Sequence, residues 1–357
     1  METRLKTIVG LALIALLLQR NLHAEEIHQA TKDIPEIVTV KPIPFDKLVN
    51  STQPIHADLR ASFPDGVKQI LFVGDSITYF GGYVVDIEAY LSTRYPDRKF
   101  EVLNFGVPSE TVSGLNEASR AGNPRPELQK RIDSVLKNSE PQLVFICYGM
   151  NDGIYMPFDE ARFAKFKEGI QWAHEQFDKK GAVIIHLTPP LFDSKLANSP
   201  DFDPAYNQTL GKYSDWLMDQ KKEKGWHVID LHTPMTNYLE EHRKTDANFA
   251  LSKDGIHPND LGHWLMAREI LFSLGGLDIE KTESAKDMLP KDLQDSNLLE
   301  LSRKRHDVLR NAHNTAFGFF RNGMKKGLAM DDAQKQADEL TKEIDELKKG
   351  PTTAPAQ

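Results

Sequence analysis

Short apolar runs alternate with amphipathic segments between residues 67 and about 275. The apolar runs are rich in β-branched residues, which is typical of buried strands. They cover residues 69–73, 99–104, 143–148, 182–188 and 227–230. Segments with helical periodicity lie between or after them, at 83–95, 126–138, 159–178, 204–224 and 260–273. Strands that alternate with helices predict a parallel sheet covered by helices on both faces.

A different pattern begins after Gly275-Gly276. Residues 277–350 are rich in Lys, Glu, Asp, Leu and Ala, and they show no strand signal. The periodicity predicts two helices in this segment, from Leu298 to Met324 and from Asp331 to Lys349. We expect a helical C-terminal extension that either packs on the preceding domain or mediates association between chains.

The N-terminus has the pattern of a secretory signal peptide over residues 1–24. A basic start precedes an eleven-residue apolar run at 8–18, and the small residue Ala24 offers a cleavage site. Such a run is too short to span a bilayer, so an uncleaved anchor is the less favoured alternative. No other segment could cross a membrane, and we expect an exported protein, either periplasmic or extracellular.

Composition narrows the classes of function. The 357 residues carry a net charge of −8 and include one cysteine, Cys147. Because there is no excess of basic residues, nucleic acid is not an expected partner. A single cysteine excludes a disulfide within the chain, and the apolar run around Cys147 predicts a core residue and not a nucleophile.

The first predicted strand ends in Gly74-Asp75-Ser76, which would place a hydroxyl group at the carboxyl edge of the sheet. A serine needs a base within hydrogen-bond reach to act as a nucleophile. His257 can be that base, and Asp254, three residues before it, can hold the imidazole in the correct tautomer. Two alternatives remain open: Ser76 could cap a helix, and His257 could belong to an ordinary loop with an Asx turn.

Two further polar segments follow predicted strands and therefore fall on the same edge. They are Asn104-Phe105-Gly106 and Gly149-Met150-Asn151-Asp152. The N–H of Gly106 and the side-chain amide of Asn151 are suitable donors for the oxyanion of a tetrahedral intermediate. Ordinary turn chemistry is the alternative for each segment taken alone.

Taken together, four sequence blocks resemble the SGNH hydrolases, also called the GDSL esterase and lipase superfamily. The blocks are Gly74-Asp75-Ser76-Ile77-Thr78, Asn104-Phe105-Gly106, Gly149-Met150-Asn151-Asp152 and Asp254-Gly255-Ile256-His257-Pro258. The resemblance covers about 67–275 and implies an α/β fold of the flavodoxin-like type. This would be a three-layer α/β/α sandwich with a five-stranded parallel sheet, here with a C-terminal helical extension.

The resemblance also implies roles for individual residues. Ser76 would be the nucleophile, His257 the base and Asp254 the residue that orients the base. The oxyanion hole would consist of the N–H of Ser76, the N–H of Gly106 and the side chain of Asn151. No metal or organic cofactor is expected.

Two features of the sequence blocks limit the resemblance to the family and to a related fold. The segment after Gly106 is more elaborate than the simple glycine turn of the family, and Thr78 excludes the Gly-x-Ser-x-Gly elbow of the α/β-hydrolases.

His263 lies close to the Asp254–His257 pair, but the spacing fits no standard zinc pattern, so a packing or capping role is favoured. Aromatic and apolar residues flank the predicted site and could form a substrate wall or core: Tyr79, Tyr83, Met150, Ile154, Tyr155 and Phe158.

We therefore expect a signal peptide at 1–24, an N-terminal extension at 25–66, a hydrolase domain at 67–276, the helical extension at 277–350 and a disordered tail at 351–357. The expected activity is that of a secreted serine esterase that removes acetyl groups from a carbohydrate through an acyl-enzyme. The partner would be a small-molecule or carbohydrate ester. The alternatives are a lysophospholipase or thioesterase for longer acyl chains, and a carbohydrate-binding protein without catalytic activity.

Overall fold

A computed structural model of the chain describes residues 67–349, except residues 121, 198, 320 and 322. The predicted signal peptide (1–24), N-terminal extension (25–66) and disordered tail (351–357) lie outside the described residues. Within the described part, no helix combines the length and the apolar character that a bilayer crossing requires.

Five parallel strands form one sheet in the order β2-β1-β3-β4-β5. The strands are β1 (Gln69–Gly74), β2 (Glu101–Asn104), β3 (Leu143–Cys147), β4 (Val183–Leu187) and β5 (His227–Ile229). Each lies within one or two residues of a predicted strand. Because all five strands run parallel, their carboxyl ends share one edge of the sheet. The predicted site residues that follow β1, β2 and β3 lie at this edge.

Helices cover both faces of the sheet. They are α1 (Ser76–Phe80), α2 (Gly82–Arg94), α3 (Ile132–Lys137), α4 (Glu160–Asp178), α5 (Tyr206–Glu223), α6 (His232–Arg243) and α7 (Asp260–Ser273). In β1, Ile70 and Phe72 face a core shared with α2 and α7. Leu71 and Val73 face the opposite core, shared with α4 and α5. This alternation confirms the predicted three-layer α/β/α fold.

Two local predictions differ from the structure. The stretch 126–138 forms a 3₁₀ turn at Leu128–Lys130 followed by the short α3, and not one continuous helix. Helix α6 was not predicted at all. Its sequence, HTPMTNYLEEHR, contains Thr, Asn and His, which have weak helix propensity, and α6 forms because Met235, Tyr238 and Leu239 pack into the core.

The C-terminal extension contains the two expected helices, α8 (Leu298–Ala316) and α9 (Met330–Lys348). The prediction that the first helix continues to Met324 is wrong. Helix α8 ends at Ala316, and Gly318 adopts a left-handed conformation (φ 76°) just beyond it. The next residues return to the core, where the rings of Phe317 and Phe319 pack on Phe105 with centroid distances of 5.7 and 5.4 Å.

Candidate active site

Ser76, the predicted nucleophile, lies where β1 passes into α1 with a single residue between the two elements. Asp75 caps α1, because its Oδ1 accepts a hydrogen bond from the N–H of Ile77 at 2.9 Å. Ser76 is therefore the first residue of the helix. The alternative interpretation, in which Ser76 caps the helix, is wrong. A Cβ on Gly74 would lie 2.2 Å from Thr78 Oγ1, so only glycine permits this close passage.

Ser76, His257 and Asp254 form a continuous chain of hydrogen bonds. The Ser76 Oγ lies 2.8 Å from His257 Nε2, and His257 Nδ1 lies 2.6 Å from Asp254 Oδ2. Gly255 makes the intervening turn possible with a left-handed conformation (φ 83°), in which a Cβ would meet the backbone of Asp193 and Ala197 at 2.5 Å. Residues 181 positions apart in sequence therefore meet at the sheet edge.

Asp254 is held in its charged form. Its partial burial acts to raise the pKa, but hydrogen bonds from the N–H groups of His257 and Ile256 and from the imidazole outweigh that effect and lower the pKa below its usual value. A carboxylate in this position fixes the His257 tautomer with a proton on Nδ1, which leaves Nε2 free to accept the proton of Ser76.

The Asn151 side chain is fixed from both ends. Its Nδ2 donates to Asp75 Oδ2 at 3.1 Å and to the carbonyl oxygen of Glu110 at 3.2 Å. Its Oδ1 accepts from Arg125 Nη1 at 2.8 Å and from the Tyr155 hydroxyl at 3.1 Å. The amide is therefore oriented with its N–H groups toward Asp75, which directly precedes Ser76, and toward the backbone of Glu110.

The Gly106 N–H does not point freely into the site, because it donates to Asn104 Oδ1 at 2.9 Å. Gly106 also packs so closely on α1 that a Cβ would lie 2.3 Å from the N atom of Tyr79. Three residues later, Ser109 adopts a left-handed conformation (φ 63°), and its N–H has no acceptor among the residues that the structure describes. The structure thus offers two candidate backbone donors in this loop.

Arg125 joins this loop to Asn151. Its side chain is 1% exposed, and Nη2 and Nε bind both carboxylate oxygens of Glu117 at 2.5 and 2.8 Å. Its Nη1 donates to Asn151 Oδ1 at 2.8 Å and to the carbonyl oxygen of Ser109 at 3.2 Å. No sequence motif marks Arg125, since its place depends on the folding of the loop between β2 and α3.

A cleft of about 520 Å³ opens beside His257. One wall is the segment that contains Asp254 and His257, and a second is formed by Tyr79 and Phe80 at the end of α1. The third wall comes from α8 and the segment after it. Of the residues considered for a substrate wall, Tyr79 lines this cleft, whereas Tyr83, Met150 and Tyr155 are buried in the core. Phe80, which is 49% exposed, was missed.

His263 is a packing residue. It is buried, its ring stacks on Tyr83 with a centroid distance of 6.2 Å, and burial lowers its pKa to about 3. Across residues 67–349 as described, no group of three or more His, Cys, Asp or Glu side chains is arranged to hold a metal ion. Cys147 is buried in β3, and burial raises its thiol pKa.

Comparison with known proteins gives concordant results. A family model described as the GDSL-like Lipase/Acylhydrolase family matches residues 72–265. An acetylxylan esterase from Geobacillus stearothermophilus is 25% identical over an alignment of 232 residues, which covers 58% of this chain and 94% of that protein. A solved structure of a catalytic mutant of an acetylxylan esterase from the same organism has a TM-score of 0.45 and 23% identity, covering 58% of this chain and 94% of its own.

A second solved structure extends the fold comparison. It is described as a gut microbial diltiazem-metabolizing enzyme, and its TM-score is 0.58 at 17% identity. The match covers 79% of this chain and 95% of that chain. The shared fold therefore reaches beyond the residues that the family model matches.

Proposed function

This chain belongs to the GDSL-like lipase and acylhydrolase family and is a carboxylic ester hydrolase; from this premise we propose that it is a serine esterase that removes acetyl groups from a carbohydrate. The observation that carries the proposal is the hydrogen-bond chain from Ser76 through His257 to Asp254, with distances of 2.8 and 2.6 Å. Such a chain supplies an activated nucleophile.

In the proposed mechanism, His257 Nε2 takes the proton of Ser76 as Oγ attacks the ester carbonyl carbon. The Asp254 carboxylate stabilises the imidazolium that forms. When the tetrahedral intermediate collapses, the imidazolium gives its proton to the leaving alcohol and an acyl-enzyme remains. Water, deprotonated by the same histidine, then attacks the acyl group, and the acid leaves as Ser76 regains its proton.

Donors near Ser76 would stabilise the oxyanion. The Ser76 N–H is at the first position of α1, where helix geometry leaves it without an acceptor inside the helix. The Asn151 amide would exchange one of its long bonds, to Asp75 or to Glu110, for the oxyanion. For the third donor we favour the N–H of Ser109 over that of Gly106, which would first have to release Asn104.

Two observations support a small acyl group and a polar alcohol. The cleft beside His257 is lined mainly by charged and polar side chains, which suit a polar alcohol part. The curated relative that matches 58% of this chain is an acetylxylan esterase. Lysophospholipase or thioesterase activity is the second candidate, and a non-catalytic binding protein would have no need of the aligned Ser76–His257–Asp254 chain.

The decisive experiment compares wild type with Ser76→Ala on 4-nitrophenyl acetate and on acetylated xylan. We expect the variant to lose about three to six orders of magnitude in kcat, while Ser92→Ala retains activity, because the Ser92 hydroxyl bonds only to the Ala89 carbonyl of its own helix. Equal turnover by wild type and Ser76→Ala would refute the proposal. Faster hydrolysis of octanoyl than of acetyl esters would favour the second candidate.

We also propose export of the protein, on the basis of the signal-peptide pattern at residues 1–24. Cell fractionation followed by N-terminal sequencing of the purified protein would test this. A mature chain that still begins at Met1 in the cytoplasmic fraction would contradict it.

A further inference from the structure

The cleft beside His257 lies on the side of the site where the alcohol part of an ester must be. In ester hydrolysis the histidine delivers its proton to the oxygen of the leaving alcohol, so that oxygen faces the imidazole. His257 and Asp254 line the cleft directly. The shape and charge of this cleft therefore bear on the alcohol and not on the acyl group.

One wall of the cleft comes from outside the family core. Arg303, Asp307 and Arg310 project from α8, and Lys325 follows in the segment between α8 and α9. All four lie beyond residue 265, where the match to the family model ends. The family match therefore does not account for this wall of the cleft.

Most of the charged side chains in the cleft that form no ion pair are cationic. Among the residues that the structure describes, Lys253, Arg303 and Lys325 form no ion pair, although all three line the cleft. Of the cleft carboxylates, Asp307 forms an ion pair with Arg310 at 2.8 Å. Asp254 is hydrogen-bonded to the His257 imidazole at 2.6 Å and keeps its negative charge.

Two other carboxylates lie near Arg303 or line the cleft. Asp260 lines the cleft in the first turn of α7, where the positive end of the helix dipole offsets part of its charge. Asp86 interacts with Arg303 from a buried position, where burial raises its pKa to about 7, so that only part of its charge is present at neutral pH. A local excess of unpaired cations in a chain of net charge −8 would attract an anionic ligand.

An aromatic side chain completes the cleft. Phe80 is 49% exposed, and its ring meets the His257 ring edge to face with a centroid distance of 5.2 Å. An exposed ring next to the catalytic imidazole can pack against the apolar face of a sugar whose acetylated hydroxyl points toward Ser76.

We propose that this cleft binds an alcohol part that carries a carboxylate, as in an acetylated uronic acid, with Phe80 beneath the sugar ring and Lys253, Arg303 and Lys325 around the carboxylate. This inference rests on the proposed function, because it names the substrate class of the same site. It makes the C-terminal extension a determinant of specificity.

The test uses two probes that differ in charge and hardly in shape: an acetylated methyl glucuronide as the free acid and as its carboxyl methyl ester. Released acetate is measured. We expect kcat/KM to be about tenfold higher for the acid at low ionic strength and the preference to shrink as salt is added. Removing two of the three cations in Arg303→Met with Lys325→Met should reduce the preference roughly twofold for each cation, to about two- to threefold.

The matched control is Lys326→Met, since Lys326 is exposed next to Lys325 but does not line the cleft. It should keep the full preference. Equal kcat/KM for the two probes, or an unchanged preference in the double variant, would overturn the inference while 4-nitrophenyl acetate hydrolysis still supported the esterase. Failure of the wild-type protein to hydrolyse any acetyl ester would overturn both.

Discussion

At the scale of single residues, the least expected feature is the buried guanidinium of Arg125 behind Asn151. A cation that donates to Asn151 Oδ1 withdraws electron density from the amide and makes its N–H groups stronger donors. The same Nη1 binds the Ser109 carbonyl oxygen, so one charged group contacts two of the three residues of the proposed oxyanion hole. Arg125 is a positioning residue, since it acts through Asn151 and not on the substrate.

This role predicts a coupling between Arg125 and Asn151. Arg125→Lys should lower kcat about tenfold with little change in KM, because the bond to Asn151 Oδ1 is lost while a positive charge remains; removing an oxyanion donor altogether typically costs 10² to 10³. In an Asn151→Ala background the same Arg125→Lys change should have almost no further effect on kcat.

A steady-state comparison of the two single variants and the double variant measures this coupling. Thermal melting of each variant serves as the control for folding, because Arg125 is also paired with Glu117. If Arg125→Lys lowers kcat by the same factor with and without the Asn151 side chain, Arg125 stabilises the loop in general and does not act through the amide.

At the scale of secondary-structure elements, the strands could be predicted because each buried run is short, apolar and bounded by polar turns. The approach of Ser76, Gly106 and Asn151 to one another could be expected too, since parallel strands bring their carboxyl ends together. No strand directly precedes Asp254 and His257, so their place beside Ser76 is indicated by residue chemistry and the family resemblance. Helix α6 could not be predicted, because its packing and not its propensity stabilises it. The place of Arg125 could not either, since it depends on contacts between distant loops.

The sequence pattern did not decide whether the C-terminal extension packs on the preceding domain or mediates association between chains. In the structure, Arg310 Nη1 donates to the Tyr79 carbonyl oxygen at the end of α1 at 2.8 Å, and the guanidinium covers the Tyr79 ring at 4.4 Å. His306 Nε2 lies 3.0 Å from Asn104 Nδ2 at the end of β2. Helix α8 therefore contacts both the helix that begins with Ser76 and the neighbouring end of β2.

Loss of these contacts should reduce both stability and activity. A chain that ends at residue 297 would expose the Phe105 ring that Phe317 and Phe319 cover, and we expect it to aggregate or to lose activity. Arg310→Met should lower the free energy of unfolding by about 1–3 kcal/mol, because a buried hydrogen bond and a ring contact are lost.

Lys304→Met is the matched control on the same helix, since Lys304 is exposed and pairs only with Glu300. It should change the unfolding free energy by less than about 0.5 kcal/mol. Denaturant unfolding and kcat/KM on 4-nitrophenyl acetate measure both effects. A soluble chain ending at residue 297 with wild-type kcat/KM would show that the extension does not support the site.

At the scale of the whole molecule, buried titratable groups set opposing limits on stability. Burial raises the carboxyl pKa of Asp75 and Asp86 to about 7 and that of Glu269 to about 8. Burial also lowers the pKa of His263 to about 3 and shifts that of His186 well below its usual value. The folded protein thus resists both the ionisation of these carboxyl groups and the protonation of these histidines.

The sign of each effect follows from proton binding. Between pH 4 and 8 the folded state holds more protons on the three carboxyl groups than the unfolded state, so their contribution to stability falls as the pH rises. The folded histidines hold fewer protons than the unfolded ones below about pH 6.5, so their contribution falls as the pH is lowered. We expect maximal stability near pH 6 and a decline toward pH 9.

Asp86→Asn isolates one of these groups. At pH 9 the wild-type carboxylate is ionised in a buried site, which destabilises the folded state by up to about 4 kcal/mol for a pKa raised from 3.8 to about 7. The asparagine variant should therefore unfold at a higher temperature than wild type at pH 9. At pH 5 folded Asp86 is protonated but the unfolded carboxyl is already ionised, so the asparagine variant should still be the more stable one, by a margin roughly 2–3 kcal/mol smaller than at pH 9. Calorimetric melting at both pH values measures the difference, with Asp287→Asn at an exposed surface position as the control. A shift of the same size at pH 5 and pH 9 would mean that the substitution acts through packing and not through the charge, because only the ionised carboxylate distinguishes the two conditions.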